Sequence, residues 1–373
     1  MTEAGATFRR VKPFSGVTCR QPGTDTVVSM SETQPIDPRY ANRSPRTQSA
    51  GRPKKRRNWF LRTVGLIVLL FVLMLIAVPL YAWSRIDKIE AMPTGQRPAE
   101  TSGTTYLMVG SDAREDLSRA ERARLHTGGD AGPARTDSIM LMHVPKSGPT
   151  VLISIPRDSA VNIPGVEGKQ KINAAFNKSP ALLIQTIENV TGLRVDHYVE
   201  VGFGGFASVI DSIGGIQMCL PKAMKDDKAH INLPAGCQKL DGVNALGYVR
   251  SRHADNQNDF GRVERQRQMV GAIAKKASSP STFLNPVRYY NVATKGVDAL
   301  TVDKDMSLFD FIRFARGMRA ISGSGGVTLT VPVSDDNYQL GHGRGVAVKW
   351  DTKKATALFN AIKQDNTSGL KSS

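Results

Sequence analysis

The sequence predicts an α/β fold: a layered α/β/α single domain with a central mixed sheet, preceded by one transmembrane helix. Three short, almost wholly apolar runs, TTYLMVG, SIMLMHV and TVLISIP, are typical of strands that are buried on both faces of a sheet. Helical patterns such as ALLIQTIENVTG alternate with further strands, HYVEV and IQMCL among them. This alternation predicts helices packed on both sides of one sheet.

A long uncharged segment precedes the predicted domain. No charged residue occurs from Thr63 to Ser84, and the segment is long enough to cross ~30 Å of hydrocarbon as a helix. Trp59 and Trp83 stand near its ends, where aromatic residues anchor helices at the membrane interface. Basic residues on its N-terminal side predict a cytoplasmic N-terminus and an extracytoplasmic domain. The expected location is therefore the cell membrane, with a single pass.

Composition divides the chain into five predicted segments. They are a disordered basic cytoplasmic tail (1–58), a transmembrane helix (59–84), a linker (85–103), an extracytoplasmic domain (104–366) and a disordered tail (367–373). Residues 1–62 carry +9 of the total formal charge of +17. The densest part of that charge, RPKKRR, adjoins the membrane, where topology and anionic lipid account for it, so no nucleic-acid partner is expected.

Two cysteines lie in the predicted extracytoplasmic part. Cys219 and Cys237 flank the loop PKAMKDDKAHINLPAG, which a crosslink would restrain. A disulfide is the favoured interpretation, and two buried thiols are the alternative. Cys19 falls in the predicted cytoplasmic tail, where a free thiol is expected. No spacing of cysteine and histidine resembles a zinc site.

The densest cluster of arginines lies between Ala245 and Gln268. Guanidinium groups suit bidentate phosphate binding, and a cluster this dense repels itself unless an anion lies among its members. The cluster therefore predicts a phosphate-binding site, although a solvated helix face is the alternative. Arg262, Arg265 and Gln266 share one face of a predicted helix. The cluster comprises Arg250, Arg252, Arg262, Arg265 and Arg267.

Charged residues also occur where the predicted strands begin or end. SDAR follows the first buried strand, RTD opens the second and PRD closes the third. Ligands of covered sheets bind beyond the strand ends, so these loops are candidates for a site. Asp112 and Asp137 could hold Mg²⁺, which uses one or two carboxylates together with phosphate oxygens and water. The alternative is that each carboxylate makes a local hydrogen bond to the backbone.

Eight motifs in order resemble the LytR-CpsA-Psr family of cell-wall proteins, found mainly in Gram-positive bacteria. They span about Thr104 to Lys276. Three residues, Asn177 to Ser179, replace a Gly-Gly that many members have, and Gly202 stands where Asp is expected. The motifs are VGSDAR (109–114), RTDSIML (135–141), ISIPRDSAVNIPG (153–165), KINAAF (171–176), VDHYVEV (195–201), VIDSIGGI (209–216), LDGVNALGYVRSRH (240–253) and DFGRVERQ (259–266).

The resemblance implies a phosphotransferase that attaches glycopolymers from a polyprenyl diphosphate carrier to a peptidoglycan hydroxyl. It also implies dependence on Mg²⁺ or Mn²⁺, a pyrophosphatase side activity and a hydrophobic cavity for the prenyl chain. Asp112 and Asp137 would order the metal, and Asp112 is the favoured general base. The catalytic set would be Asp112, Arg157, Arg250 and Arg252. The diphosphate would be held by Arg135, Arg157, Arg250, Arg252, Arg262 and Gln266.

Two other classes of function fit the same sequence. One is a membrane-anchored module that binds wall polymers or lipid diphosphates without chemistry, and the other is a membrane-anchored regulator that acts through its basic tail. Metal-dependent release of prenyl phosphate would separate the enzyme from the binding module. Sequence-preferring DNA binding by the tail would favour the regulator.

Overall fold

The computed structural model describes residues 59–113, 117–129, 135–251, 258–323, 325–341 and 343–372, the side chains of 258–260 excepted. Its helices are α1 (Trp59–Trp83), α2 (Arg119–Arg124), α3 (Asn173–Phe176), α4 (Pro180–Thr191), α5 (Phe203–Ser212), α6 (Gly242–Arg250), α7 (Asn258–Ala277), α8 (Pro280–Phe283), α9 (Pro286–Asp298), α10 (Leu308–Ile321) and α11 (Thr352–Lys363). Its strands are β1 (Asp87–Ile89), β2 (Thr104–Ser111), β3 (Thr136–Val144), β4 (Thr150–Ile155), β5 (Ala160–Asn162), β6 (Lys169–Lys171), β7 (His197–Val201), β8 (Ile216–Leu220), β9 (Met224–Asp226), β10 (Ile231–Leu233), β11 (Gly236–Leu240), β12 (Leu300–Asp303), β13 (Gly326–Thr330), β14 (Val333–Gln339) and β15 (Val346–Trp350).

A seven-stranded mixed sheet lies at the centre, as the sequence predicts. Its order is β1-β12-β7-β2-β3-β4-β13. The neighbours β2 and β3 are antiparallel, as are β3 and β4, whereas β7 runs parallel to β2. The three apolar runs of the sequence are β2, β3 and β4 in the middle of the sheet, and helices cover both of its faces.

The side chains of β2 show how both faces are filled. Leu107 and Val109 point into a core with Leu183 and Ile184 of α4. Tyr106 points the other way, and its ring centroid lies 5.5 Å from that of Phe314 of α10. Alternate residues of one strand are thus buried on opposite faces, which explains why the run is continuously apolar. The predicted α/β/α layering is confirmed.

A smaller apolar cluster beside the sheet holds α6 and α7, which carry the arginines. Helices α5 and α6 approach each other closely at Gly242, which has no side chain. A Cβ at this position would lie 2.5 Å from the carbonyl oxygen of Ala207 in α5, so a larger residue would push the helices apart. Hairpin strands β8 and β11 complete this cluster. Cys219 and Cys237 are directly opposite each other in the hairpin and form a disulfide.

The segments predicted to be a linker and a disordered tail both contain ordered contacts. Strand β1 lies within 85–103 and pairs with β12 as the outermost strand of the sheet. At the other end, Thr367 is buried, and the backbone N–H of Thr328 donates to Ser372 Oγ at 3.1 Å. Both segments are short and lack a periodic apolar pattern. Their structure depends on contacts with residues far away in the sequence, which a local pattern does not predict.

Helix α1 is long and apolar enough to cross a membrane, and it alone meets that description among the described residues. It fits the predicted single-pass anchor. The direction in which it would cross remains a prediction from charge.

Candidate active site at the edge of the sheet

Three of the sequence-predicted loops meet at one edge of the sheet. Because β2, β3 and β4 are successive antiparallel neighbours, the end of β2, the start of β3 and the end of β4 lie at the same edge. Asp112 follows β2, Asp137 is the second residue of β3, and Arg157 comes two residues after β4. Side chains from three separate motifs are therefore brought together.

Asp112 ties two of these loops to each other. Its Oδ1 accepts a hydrogen bond from the backbone N–H of Arg135 at 2.5 Å, and its own N–H donates to the carbonyl oxygen of Arg135 at 2.8 Å. This bond joins residues 23 positions apart, so it is not the local turn bond considered from the sequence. It fixes the direction of the carboxylate, and Arg135 remains exposed at the mouth of the site.

Asp137 joins arginines from two distant motifs. Arg157 Nη1 donates to Asp137 Oδ1 at 2.5 Å, and Arg262 Nη1 lies 3.9 Å from the same oxygen. The side chain of Arg262 is only 3% exposed. Removing a guanidinium from water costs several kcal/mol unless anions compensate. The predicted face of α7 is thus a buried wall of the site and not a solvated surface.

Asp158 and Lys171 extend the site beyond the residues predicted from the sequence. Asp158 Oδ2 accepts from Arg157 Nε at 3.3 Å, and Lys171 Nζ lies 3.0 Å from Asp158 Oδ1. Burial acts to raise the pKa of Asp158, but Arg157 and Lys171 outweigh it and hold that pKa below its ordinary value. Asp158 therefore stays charged and orients Arg157. Both residues lie within family-like motifs, which was the available signal.

The remaining predicted residues lie around the junction of α6 and α7. Arg250 is the last residue of α6, where its guanidinium lies 4.9 Å from the ring centre of Phe203 and Nη1 donates to His126 O at 3.4 Å. Arg265 Nη2 donates to Ser251 O at 2.6 Å, so α7 holds the residue that follows α6. Gln266 is buried. Arg252 lies outside the described residues.

A cavity of about 720 Å³ lies beside Arg250. Its lining includes two arginines and two histidines. The two histidines stack with ring centroids 4.5 Å apart. The lining comprises Arg119, Arg122, Ala123, His126, Thr127, Gly128, Gly129 and His230.

The acids at the sheet edge fit a divalent cation that takes some of its ligands from a substrate. Among the residues that the structure describes, no three His, Cys, Asp or Glu side chains form a complete protein cage. Mg²⁺ is commonly bound by one or two carboxylates together with phosphate oxygens and water. A hydrogen bond to one carboxylate oxygen is compatible with metal binding through the other. Asp112 and Asp137 therefore suit such an ion.

The fold and site define an α/β protein with an apolar helix that could anchor it and an arginine-rich site at a sheet edge. The sequence model of the LytR_cpsA_psr family matches residues 82–363. The chain belongs to this family, as its eight motifs predict.

Named relatives agree with that assignment. The chain is 43% identical over 305 residues to "Probable cell wall biosynthesis protein LcpB" of Corynebacterium glutamicum, covering 81% of this chain and 71% of that protein. It is 35% identical over 173 residues to the polyisoprenyl-teichoic acid–peptidoglycan teichoic acid transferase TagV of Bacillus subtilis, covering 44% of each. The chain thus spans less than half of TagV.

Solved structures show the same fold. A LytR-Csp2A-Psr enzyme from Actinomyces oris matches with a TM-score of 0.59 at 23% identity, over 75% of this chain and 96% of that one. The crystal structure of B. subtilis TagV matches with a TM-score of 0.56 at 25% identity, over 73% of this chain and 100% of that one. These likenesses place the sheet and its helices within the family architecture.

Proposed function

We propose that this protein transfers a glycopolymer phosphate from a polyprenyl diphosphate carrier to a hydroxyl group of peptidoglycan. The observation that carries the proposal is the meeting of Arg157 and Arg262 at Asp137, since these arginines are far apart in sequence. Relatives named as transferases of polyisoprenyl-linked teichoic acid to peptidoglycan support the choice of donor and acceptor.

The arginines would bind the diphosphate. Each guanidinium presents a planar fork that matches two phosphate oxygens, and such charge-assisted hydrogen bonds are the stronger ones in proteins. The described part of this set is Arg135, Arg157, Arg250 and Arg262, with Gln266 beside them, and Arg252 is added from the sequence alone.

The reaction balances as a phosphoryl transfer. The oxygen of a peptidoglycan hydroxyl attacks the phosphorus nearest the glycan, a new P–O bond forms, and the bond to the distal phosphate breaks. Polyprenyl monophosphate leaves with the bonding electron pair, and the proton of the hydroxyl passes to a carboxylate. Asp112 is our choice of base, because its contact with the Arg135 backbone holds it at the mouth of the site.

Arginines stabilise the charge that spreads over the transferred group in such a reaction. Asp112 and Asp137 would hold a Mg²⁺ or Mn²⁺ ion, which when bound supplies further neutralisation of phosphate charge. Arg157 is oriented from two sides, by Asp137 and Asp158, so its fork is positioned before a substrate arrives. This preorganisation is what a phosphate clamp requires.

The cationic cavity beside Arg250 suits the glycan end of the donor. It adjoins the arginine cluster through the contact between Arg250 and His126. Its two arginines and its stacked histidine rings would contact the phosphate and saccharide groups of that glycan.

Turnover by the full chain in lipid nanodiscs tests the proposal. Supplied with a labelled polyprenyl diphosphate glycan, peptidoglycan and Mg²⁺, the chain should release polyprenyl monophosphate and label the peptidoglycan, and EDTA should stop both. A binding module would retain the donor and release nothing. Release that persists in EDTA would contradict the metal assignment.

The Asp112→Asn variant tests the base. It should still bind donor and metal, because the amide oxygen can accept the Arg135 hydrogen bond, but transfer should slow about 100-fold or more. Single-turnover measurement at saturating donor separates the two steps. Weakened donor or metal binding with an unchanged chemical rate would make Asp112 a metal ligand only and leave the base unassigned.

A further inference from the structure

A group of exposed apolar side chains lies on α8 and the start of α9. Leu284 is 73% exposed and Val287 70%, with Phe283 and Tyr290 beside them in sequence at 40% and 45%. Outside α1, these are four of the seven large hydrophobic residues that are exposed in the described part of the chain. We call these four residues the α8–α9 apolar surface. Apolar patches on soluble domains are commonly sites of contact with a protein or a membrane.

Helix α9 runs beside the C-terminal half of α1. Two contacts join the two helices, a third joins Arg85, just after α1, to the last residue of α9, and all three occur in the same order along both segments. They are Tyr289 Oη to Leu75 O at 3.1 Å, the stacked rings of Tyr290 and Tyr81 with centroids 6.5 Å apart, and Arg85 Nε and Nη2 to the carboxylate of Asp298 at 2.9 and 3.1 Å. The two helices therefore point in the same direction, and α9 begins at the level of Leu75.

The position of Leu75 within α1 gives the depth at which α9 would begin in the membrane. The uncharged stretch Thr63–Trp83 is about 31 Å long as a helix, which matches the ~30 Å hydrocarbon core. Leu75 precedes Trp83 by eight residues, so it lies about 12 Å below the end of that stretch. If α1 crosses the membrane, the start of α9 lies at the depth of the acyl chains, comparable with the ~5–10 Å reached by interfacial helices.

We propose that the α8–α9 apolar surface inserts into the lipid leaflet on the domain's side, next to α1. The occupant of this surface is then lipid, because the neighbouring helix brings it to the membrane. Arg288, in the first turn of α9, lies next to this depth, and a side chain of its length can extend the guanidinium towards the lipid headgroups. The inference depends on α1 crossing the membrane and not on the proposed chemistry.

Insertion would fix the height of the active-site domain above the membrane. Helix α9 also supplies Val297 to the core beneath the sheet, and α5 packs on α9 with the Cβ position of Gly205 2.5 Å from Ala299 O. The membrane contact is thus continuous with the layer that carries α5 and α6. A domain held in this way would meet a lipid-linked ligand without detaching it from the bilayer.

Collision accessibility of a spin label tests the proposal on the full chain in nanodiscs. In a Cys19→Ser background, a nitroxide on Leu284→Cys should collide with dissolved oxygen and be shielded from a water-soluble nickel chelate. The matched control is Val346→Cys, since Val346 is an exposed apolar residue of β15 at 39% exposure. Its label should be at least several-fold more accessible to the nickel chelate. Equal nickel accessibility at the two positions would overturn the proposal.

A second measurement separates lipid from another copy of the chain as the occupant. Dipolar broadening between Leu284→Cys labels on different chains would show that the surface is covered by self-association, and this outcome would also overturn the proposal. With lipids that carry a nitroxide on the acyl chain, a fluorophore at Leu284→Cys should be quenched and one at Val346→Cys should not. Introducing Val287→Asp should reduce that quenching at position 284 towards the control value.

Discussion

Two arginine–carboxylate groups in this molecule differ in burial and in how many cations share each carboxylate. In the first, Arg97 contacts both oxygens of Glu188, and their side chains are 13% and 2% exposed. Arg97 also donates to the carbonyl oxygen of Val195, whose N–H donates back to Glu188 at 2.9 Å. One cation meets one anion, and the backbone completes the hydrogen bonds.

In the second group, at the sheet edge, two cations share each carboxylate. Arg157 and Arg262 share the Asp137 oxygen, and Lys171 joins Arg157 on Asp158. Arg265 lies close by on the same buried face of α7. A balanced pair holds two segments together and needs nothing more. Where several cations share carboxylates in this way, a phosphate group would add a further anionic partner for them, as the proposed function requires.

Breaking the balanced pair should give the largest loss of stability. Arg97→Met leaves the Glu188 carboxylate buried without its cation, which typically costs about 3–5 kcal/mol. Denaturant unfolding followed by circular dichroism measures this loss. The matched control is Arg124→Met, whose partner Asp211 lies 3.4 Å away and whose pair is exposed, with side chains 52% and 40% accessible. Exposed pairs contribute up to about 1 kcal/mol, so an equal loss in both variants would contradict the distinction.

Removing an arginine of the sheet-edge group should instead reduce turnover, with a smaller loss of stability than Arg97→Met. Arg157→Ala should slow transfer about 100- to 1000-fold, the range for loss of one group that stabilises transition-state charge. Asp137 keeps Arg262 and Asp158 keeps Lys171 as partners, so the loss of unfolding free energy should be smaller than that of Arg97→Met.

Arg157→Lys is the informative companion, because an ammonium retains the charge but loses the planar fork. Partial recovery of transfer rate is expected. Full activity in the lysine variant would show that charge alone suffices. A loss of stability as large as that of Arg97→Met would show that Arg157 mainly holds the fold together.

The sequence predicts the group at the sheet edge better than the pair of Arg97 and Glu188. Strands β2, β3 and β4 are continuous apolar runs, and the charged residues at their ends mark the site directly. Arg97 lies in a segment predicted to be a linker, and nothing local indicates that Glu188, on the buried face of α4, is its partner. The burial of Arg262 likewise depends on how α7 packs. Local pattern reveals strand-end chemistry, whereas pairing between distant segments comes only from the fold.

Loss of the disulfide should have an intermediate effect. Replacing both cysteines, Cys219→Ser with Cys237→Ser, removes a crosslink between residues 18 positions apart. For such a loop the chain-entropy model predicts a loss of about 3 kcal/mol in the free energy of unfolding. The hairpin supports the cluster beneath α6, so stability should fall while Arg250 retains its place on the helix. Unfolding and turnover of the double variant check this. A loss of turnover matching Arg157→Ala at unchanged stability would assign the hairpin to the site.

The smallest effect concerns pH. His143 is buried, with Nδ1 3.0 Å from Thr105 Oγ1 and Nε2 3.0 Å from Asp365 Oδ1. Burial lowers the pKa of His143 and outweighs the opposing effect of Asp365, so the folded chain disfavours the charged imidazole. Asp158 shows the opposite balance, because neighbouring cations outweigh its burial.

The directions of these two pKa shifts determine the pH range in which each residue's contribution to stability is lost. The folded pKa of His143 lies below its unfolded value of about 6.5, so its contribution is complete above that pH and declines as pH falls below it. The lowered pKa of Asp158 places its loss below about pH 3.9, outside the range from 7 to 5. Wild-type stability should therefore fall across that range by no more than about 1.4 kcal/mol per pH unit from this one proton, and His143→Gln should remove that component. Unfolding both chains at each pH isolates it, because every other titrating group is common to the two. A difference that stays constant with pH would mean that His143 binds its proton equally in both states.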